Sequence, residues 1–365
     1  MAASLANDPS VRSGGDALLR AWFVALAALV FVMVLVGGAT RLTDSGLSIT
    51  EWAPIAGFLP PFTAAQWEAE FAKYRTTTEY QTVNAGMTMA QFQFIYWWEW
   101  GHRFLGRLIG LAALLPLIGF WLAGRLPQPW RGHAIVVFLA ICLQGAIGWW
   151  MVKSGLVNRV DVSQIRLAVH LTMASAIFAY LVWLARSLAP HSGAPMPHAS
   201  WQGATLTLLV LLQIFLGGLV AGLDAGLAYN TWPRMDGAWV PSGLLVADPV
   251  WSNFTDNAKT VQFVHRVSAY LLWAAAIGHA VWMHMYAGGT VHARRAILLA
   301  LFVTAQAAIG IVTLLLQVPV FWGLAHQGGA IVVLALAVAH WRGLTMSAAA
   351  PVRASPAMPL AHAAA

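Results

Sequence analysis

Charge is what this sequence has least of. Only 9% of its residues are Asp, Glu, Lys or Arg and 59% are hydrophobic, whereas soluble domains carry about 25% charged residues. That deficit excludes an ordinary soluble domain. Cysteine is almost missing as well: Cys142 stands alone, which excludes an intramolecular disulfide, and inside an apolar stretch it reads as a small buried hydrophobe. Long polar connections are lacking on one side of the chain. The links Gly124 to Gly132, Ser187 to Gln202 and Ala287 to His292 leave no room for an inner domain.

What is present is a series of apolar stretches, beginning near Arg20, Phe104, His133, Leu167, Gly203, His265, Arg295 and Trp322. Each reaches the ~18 residues needed to cross roughly 30 Å of hydrocarbon, so the sequence predicts an all-α membrane protein with eight transmembrane helices. With a cytoplasmic N-terminus, the inner segments hold Arg12, Arg20, Arg125, Arg131, Arg186, Arg294, Arg295, Arg342 and Arg353, against the acids Asp8 and Asp16. The positive-inside rule therefore sets both termini in the cytoplasm. It also explains the net charge of +7 by topology, without a nucleic-acid partner. The first apolar run resembles a signal peptide, since Gly37-Gly38-Ala39 follows it, but the same glycine pair recurs inside the chain.

That recurrence is general. Gly37-Gly38, Asp44, Gly46-Leu47 and Trp52 return at a constant offset of 180 residues as Gly217-Gly218, Asp224, Gly226-Leu227 and Trp232. His102-Arg103 pairs with His265-Arg266, Gln144 through Gly148 with Gln306 through Gly310, and His170 with His326. The chain reads as two tandem four-helix bundles. An even number of crossings per half gives both the same orientation, hence a parallel pseudo-two-fold along the membrane normal. The expected divisions are an N-terminal tail 1–19, a first half 20–188, a linker 189–202, a second half 203–345 and a flexible tail 346–365. The long outer loop of the first half carries two capping-box patterns, Thr63 with Gln66 and Thr88 with Gln91, each with a flanking hydrophobic pair, Phe62 with Trp67 and Met87 with Phe92. The second half's counterpart, Asp224 to Gln262, reads as an irregular cap.

Four histidines carry the chemistry. His102, His170, His265 and His326 open the even-numbered helices, all on the outer side, two per half and on different helices of a bundle, where cofactor sites are built. Closed zinc sites want four converging nitrogen or sulfur ligands, so two axial imidazoles on a haem fit better. Arg103, Arg107, Arg166 and Arg266 are candidate propionate partners, or helix-end charges reaching the interface. The halves differ at Glu99, whose counterpart is Gln262. A carboxylate set among Tyr96, Trp97, Trp98 and Trp100 suits an acid or base with a raised pKa. His279 and His340 recur about 21 Å deeper and suggest a further haem near the inner surface; Pro116 and Leu184 replace them in the first half.

The stretches Gly37 to Ser48, Trp97-Trp98-Glu99-Trp100-Gly101-His102-Arg103, Gly217 to Gly226, Tyr229 to Pro233, His265-Arg266 and His326-Gln327 together resemble the haem A synthase family, over about residues 20 to 345. Lacking the paired outer-loop cysteines of some members, the chain resembles the cysteine-free proteobacterial and mitochondrial type. The resemblance implies an oxidoreductase of the inner membrane that oxidises the C8 methyl of haem O to the formyl of haem A, for aa3-type cytochrome oxidase assembly. It further implies that His265 and His326 hold a resident haem b, that His102 and His170 bind the substrate haem O, and that Glu99 is the essential carboxylate. Its expected partners are a haem O synthase, an electron donor and the lipid bilayer, and a homo-oligomer is compatible with it. Two other readings stand beside it: a di-haem transmembrane b-type electron carrier, which needs His279 and His340 as ligands, and a haem transporter or chaperone, which leaves haem unaltered.

Overall fold

The computed structural model describes residues 9–157, 159–191 and 193–346. Every regular element among them is helical, apart from one isolated bridge between Met235 and Ala238. Eleven α-helices follow in order: α1 (Pro9–Leu42), α2 (Ala64–Tyr74), α3 (Thr78–Thr82), α4 (Met89–Leu122), α5 (Gln128–Gly155), α6 (Gln164–Ser187), α7 (Pro197–Gly222), α8 (Asn253–Asp256), α9 (Ala258–Ala287), α10 (Val291–Leu315) and α11 (Val320–Thr345).

Among the described residues seven helices, α1, α4, α5, α6, α7, α10 and α11, are long and apolar enough to cross a membrane. The eighth long helix, α9, spans 30 residues, but Lys259, Arg266 and three histidines lower its mean hydropathy. Several long helices, α4 and α9 among them, start well before the apolar run that announces them, and side-chain caps fix the first turns of α4, α9 and α10, as one does for the short α2. Thr63 and Thr88 accept from the backbone of Gln66 and Gln91 in complete capping boxes. Asn257 accepts from Lys259 and Thr260 at the start of α9, and Thr290 from Ala293 at the start of α10. Of the two expected staples, Met87 joins Phe92 in a small core under the outer loop, while Phe62 stays 70% exposed.

Neighbours match between the halves. α1 packs on α4 and α6, α4 on α5 and α5 on α6; likewise α7 packs on α9 and α11, α9 on α10 and α10 on α11. The halves meet where α6 runs along α7, α1 along α11, and α6 against α11. The α6–α7 crossing is close for a steric reason. A Cβ on Gly218 would lie 2.7 Å from Ala168 Cα, and one on Gly222 would lie 2.6 Å from Gln164 Cα. This is the small-xxx-small spacing that lets helix backbones approach where water drives nothing together. Arg41 adds a polar tie, donating to both carboxylate oxygens of Asp224 at 2.7 Å and to Ala221 O at 3.1 Å.

The structure corrects three expectations. The linker after Ser187 is short and held, since α7 begins at Pro197, Met196 N donates to Leu344 O (2.8 Å) and His292 Nε2 lies 2.9 Å from Ala194 O. The N-terminal tail is helical from Pro9; residues 1–8 and the expected flexible tail beyond 346 lie outside the described residues. Cys142 is exposed, because α5 turns most of its surface outward: only 6% of its apolar window is buried, against 44% for α1 and α6.

In the outer loop, Glu79 of α3 is buried and its Oε2 has no hydrogen-bond partner. Loss of hydration pushes its carboxyl up to about 8, opposed by a hydrogen bond with the Tyr74 hydroxyl. The folded state therefore holds this proton where the unfolded chain has released it, and stability falls as pH rises from the ordinary carboxylate range to about 8, then levels off. Glu79→Gln is expected to raise Tm by a few degrees at pH 8.5 and to change little at pH 4.5, measured by thermal unfolding in detergent.

Candidate functional site

The four histidines share one local construction. Gln144 and Gly148 stand four apart on α5, so they present one face, and that face meets His170 of α6. The Gln144 amide donates to His170 O (3.0 Å) and lies 3.1 Å from the ring Nδ1, while a Cβ on Gly148 would come within 2.9 Å of Cε1. On α7, Gln213 donates to His265 O (3.0 Å) and lies 3.1 Å from Nδ1, and a Cβ on Gly217 would reach Cε1 at 3.3 Å. On α10, Gln306 donates to His326 O (2.6 Å) and lies 3.1 Å from Nδ1, with Gly310 allowing only 2.6 Å to Cε1. His102 completes the set against Gly37 of α1, where a Cβ would stand 3.1 Å from its Nε2. Four residues before Gly37 stands Met33 in place of a glutamine.

Sequence reading found the histidines and missed these seats, although the signal was printed: Gln-x-x-x-Gly occurs at Gln144, Gln213 and Gln306, each on the helix preceding a candidate ligand. The donor set agrees with haem. Among the described residues no three His, Cys, Asp or Glu converge, which leaves no all-protein metal centre. Two imidazoles per half, each given ring room by a glycine, are the residues that would hold a haem, which brings its own four nitrogens.

Glu99 is almost fully buried, at 2% exposure, yet it is not an isolated carboxylate among aromatic rings. Its Oε2 accepts from Ser48 Oγ (2.8 Å) and Ile49 N (2.7 Å); its Oε1 accepts from Arg103 Nη2 (2.6 Å) and Nε (3.1 Å). Arg103 donates further to Ile49 O and Glu51 O. The second half repeats the clamp residue for residue: Arg266 donates to Tyr229 O, Thr231 O and Gln262 Oε1. Gln262 then donates to Ala225 O and Ala228 O, where Glu99 accepts. The position is a loop latch in both halves, of opposite polarity, and only the first carries a carboxylate.

The arginines expected beside propionates are engaged with protein. Arg103 and Arg266 hold the outer loops as described, Arg107 donates to Ala53 O and Pro54 O, and Arg166 donates to Trp150 O while stacking on its ring. Two of their nitrogens, Arg107 Nη1 and Arg266 Nε, are buried without partners. Arg107 also lines an apolar cavity of about 360 Å³ with Phe58, Leu111, Leu114 and Phe138. The cavity opens between the outer loop, α4 and α5, not between the halves.

His279 and His340 do not repeat the outer arrangement. Their Nε2 atoms are 2.8 Å apart, hydrogen-bonded to each other, and Gln202 Oε1 lies 2.6 Å from His279 Nδ1. An iron between two imidazoles sets their nitrogens about 4 Å apart, at roughly 2.0 Å per bond. As arranged the pair is a polar contact in the second half, and it does not favour the further haem that the spacing left open.

Comparison with known proteins identifies the family. The COX15-CtaA family model, described as cytochrome oxidase assembly protein, matches residues 20–338. The chain is 52% identical over 349 residues to the Heme A synthase of Sinorhizobium fredii, covering 93% of this chain and 95% of that protein. It is 54% identical over 327 residues to the Heme A synthase of Rhizobium meliloti, covering 89% of each. The Heme A synthase of Mesorhizobium japonicum is 51% identical over 349 residues, covering 94% of this chain and 96% of that protein.

Proposed function

The chain belongs to the COX15-CtaA family of cytochrome oxidase assembly proteins, and from that premise we propose how its two halves divide one reaction. The activity is that of a haem A synthase, an oxidoreductase converting haem O to haem A. Glycine-seated histidines supply a ligand pair in each half, and the observation that carries the division of labour is the buried carboxylate of Glu99, which the second half replaces with Gln262. His265 and His326 are the ligands of a resident haem b, and His102 and His170 receive the substrate haem O, whose C8 methyl becomes the formyl group.

Bound haem iron supplies the one-electron and oxygen chemistry; the chain supplies position and protons. Glu99 Oε2 and the Ser48 hydroxyl form a short donor–acceptor pair through which a proton leaves or enters the first-half site. Glu99 Oε1 fixes Arg103, which holds residues 49–51 over that site. The open apolar groove beside Arg107 suits the hydrocarbon tail of the substrate. We place this chemistry in an eight-span inner-membrane protein, two tandem four-helix bundles with α9 as the sixth span and both termini cytoplasmic. The sites lie toward the outer face, and haem O synthase and an electron donor act as partners.

The test is mass spectrometry of haems extracted from cells with and without the protein. Haem A is expected only with it, and haem O accumulates without it. Identical haem profiles in both would reject the reading and leave a transporter or chaperone.

A further inference from the structure

The inference deepens the reading above and rests on its assignment of the four ligands: it concerns which of them releases iron. In the second half the His265 ring belongs to a closed hydrogen-bonded unit. Gln213 Nε2 donates to the His265 main-chain carbonyl and lies over the ring, 3.1 Å from Nδ1 and 3.3 Å from Nε2, Gln213 Oε1 accepts from Ser268 Oγ, and Ser268 Oγ also donates to His265 O at 3.0 Å. The repeat relates Gln213 to Met33 by the offset that relates Gly217 to Gly37, and Ser268 to Leu105 by the offset that relates His265 to His102. Both polar members are replaced together. Met33 and Leu105 pack with the apolar core, and Met33 Cε lies against Gly106 of α4. Among the described residues nothing hydrogen-bonds to the His102 ring. The opposite ligands show no such difference, since Gln144 and Gln306 hold His170 and His326 alike.

An imidazole whose backbone carbonyl is held twice and whose ring is covered by an amide turns only by disturbing those polar contacts, whereas one backed by aliphatic side chains turns against dispersion contacts alone. Such backing sets the strength and orientation of metal ligands. We propose that His102 is the releasable ligand of the substrate site, with Met33 and Leu105 as the positioning residues that leave it free. With haem bound, departure of His102 would leave the substrate iron open to a small molecule, and the held His265 would keep the resident haem closed.

The probe is carbon monoxide, titrated into the dithionite-reduced full-length protein after incubation with added haem and followed by the Soret band. The expected carbon monoxide complex forms in the wild type and disappears when His170→Ala empties the first half. M33Q/L105S is expected to weaken it roughly two- to tenfold, the weight of one hydrogen bond. Q213M/S268L is expected to create a second carbon monoxide-binding component at the resident haem, and this arm decides even if the first double variant loses haem. Carbon monoxide affinity unchanged in both double variants, or uptake by the second-half haem of the wild type, overturns the proposal. If instead His102→Ala and His170→Ala leave haem content and spectrum unaltered, the ligand assignment itself fails.

Discussion

Glu99→Gln is expected to lower haem A formation by roughly a hundredfold or more, the range for losing a positioned acid or base, with haem O accumulating in the membrane. The amide is nearly isosteric, so the effect isolates charge and hydrogen-bond polarity. All four contacts to Glu99 are donors, namely Ser48 Oγ, Ile49 N and two nitrogens of Arg103. An amide must turn its NH2 toward two of them, leaving either the loop N–H or the guanidinium unpaired in a buried place. Unchanged haem A output in this variant would remove Glu99 from both proton transfer and the latch. The two roles separate by haem content: a proton-transfer defect leaves haem O bound to the first half, whereas a failed latch lets residues 49–51 open and substrate affinity drop.

The counterpart position differs in polarity on one side. Gln262 donates to Ala225 O and Ala228 O, so a glutamate there would face two carbonyl oxygens. Both clamps accept from their arginine, and toward the loop the first accepts where the second donates. The loops have adapted: Ser48 supplies a hydroxyl where Ala228 has only its carbonyl to offer.

The sequence revealed the all-helical membrane class because its signals are physical constraints on single helices, and seven of the expected spans are long and apolar enough to cross a membrane among the described residues. Thr63 and Thr88 stand in their capping boxes, and Asp44 and Asp224, 180 positions apart, both adopt positive φ, 47° and 49°. What the sequence obscured were pairings between helices. Arg103 and Arg107 read as propionate partners because a charge near a membrane surface is ambiguous until its acceptors are known, and those are, apart from Glu99 for Arg103, main-chain carbonyls carrying no side-chain signature. His279 and His340 shared the spacing of the outer pair, but spacing along two helices does not fix the distance between them, and the rings touch. Glu99 read as a lone carboxylate because its donors, Ser48 and Ile49, lie some fifty positions earlier in a loop. The glycines were visible as repeat markers, and only the crossing of adjacent helices shows that they face the histidine rings.

That last point yields the other large expected effect. Gly310→Val should reduce haem in the second half roughly ten- to a hundredfold, the usual consequence of disturbing the support of a metal ligand, and abolish haem A formation with it. A Cβ at this position would stand 2.6 Å from His326 Cε1 and 3.1 Å from Nδ1, closer than carbon atoms pack. The ring cannot yield, because Gln306 grips its carbonyl and approaches its Nδ1 from the same helix face. Gly148→Val should do the same to His170, with a contact of 2.9 Å, and empty the first half while sparing the second. Gly145 of the same helix supplies the control: a Cβ there meets nothing within 4 Å, so Gly145→Val shares the β-branched cost to the helix without the collision. Haem per chain by absorbance, with circular dichroism to verify helicity, separates the outcomes. Equal haem loss in Gly145→Val and Gly148→Val would mean that α5 tolerates no bulk anywhere, and that the glycine seats are not what positions the ligands.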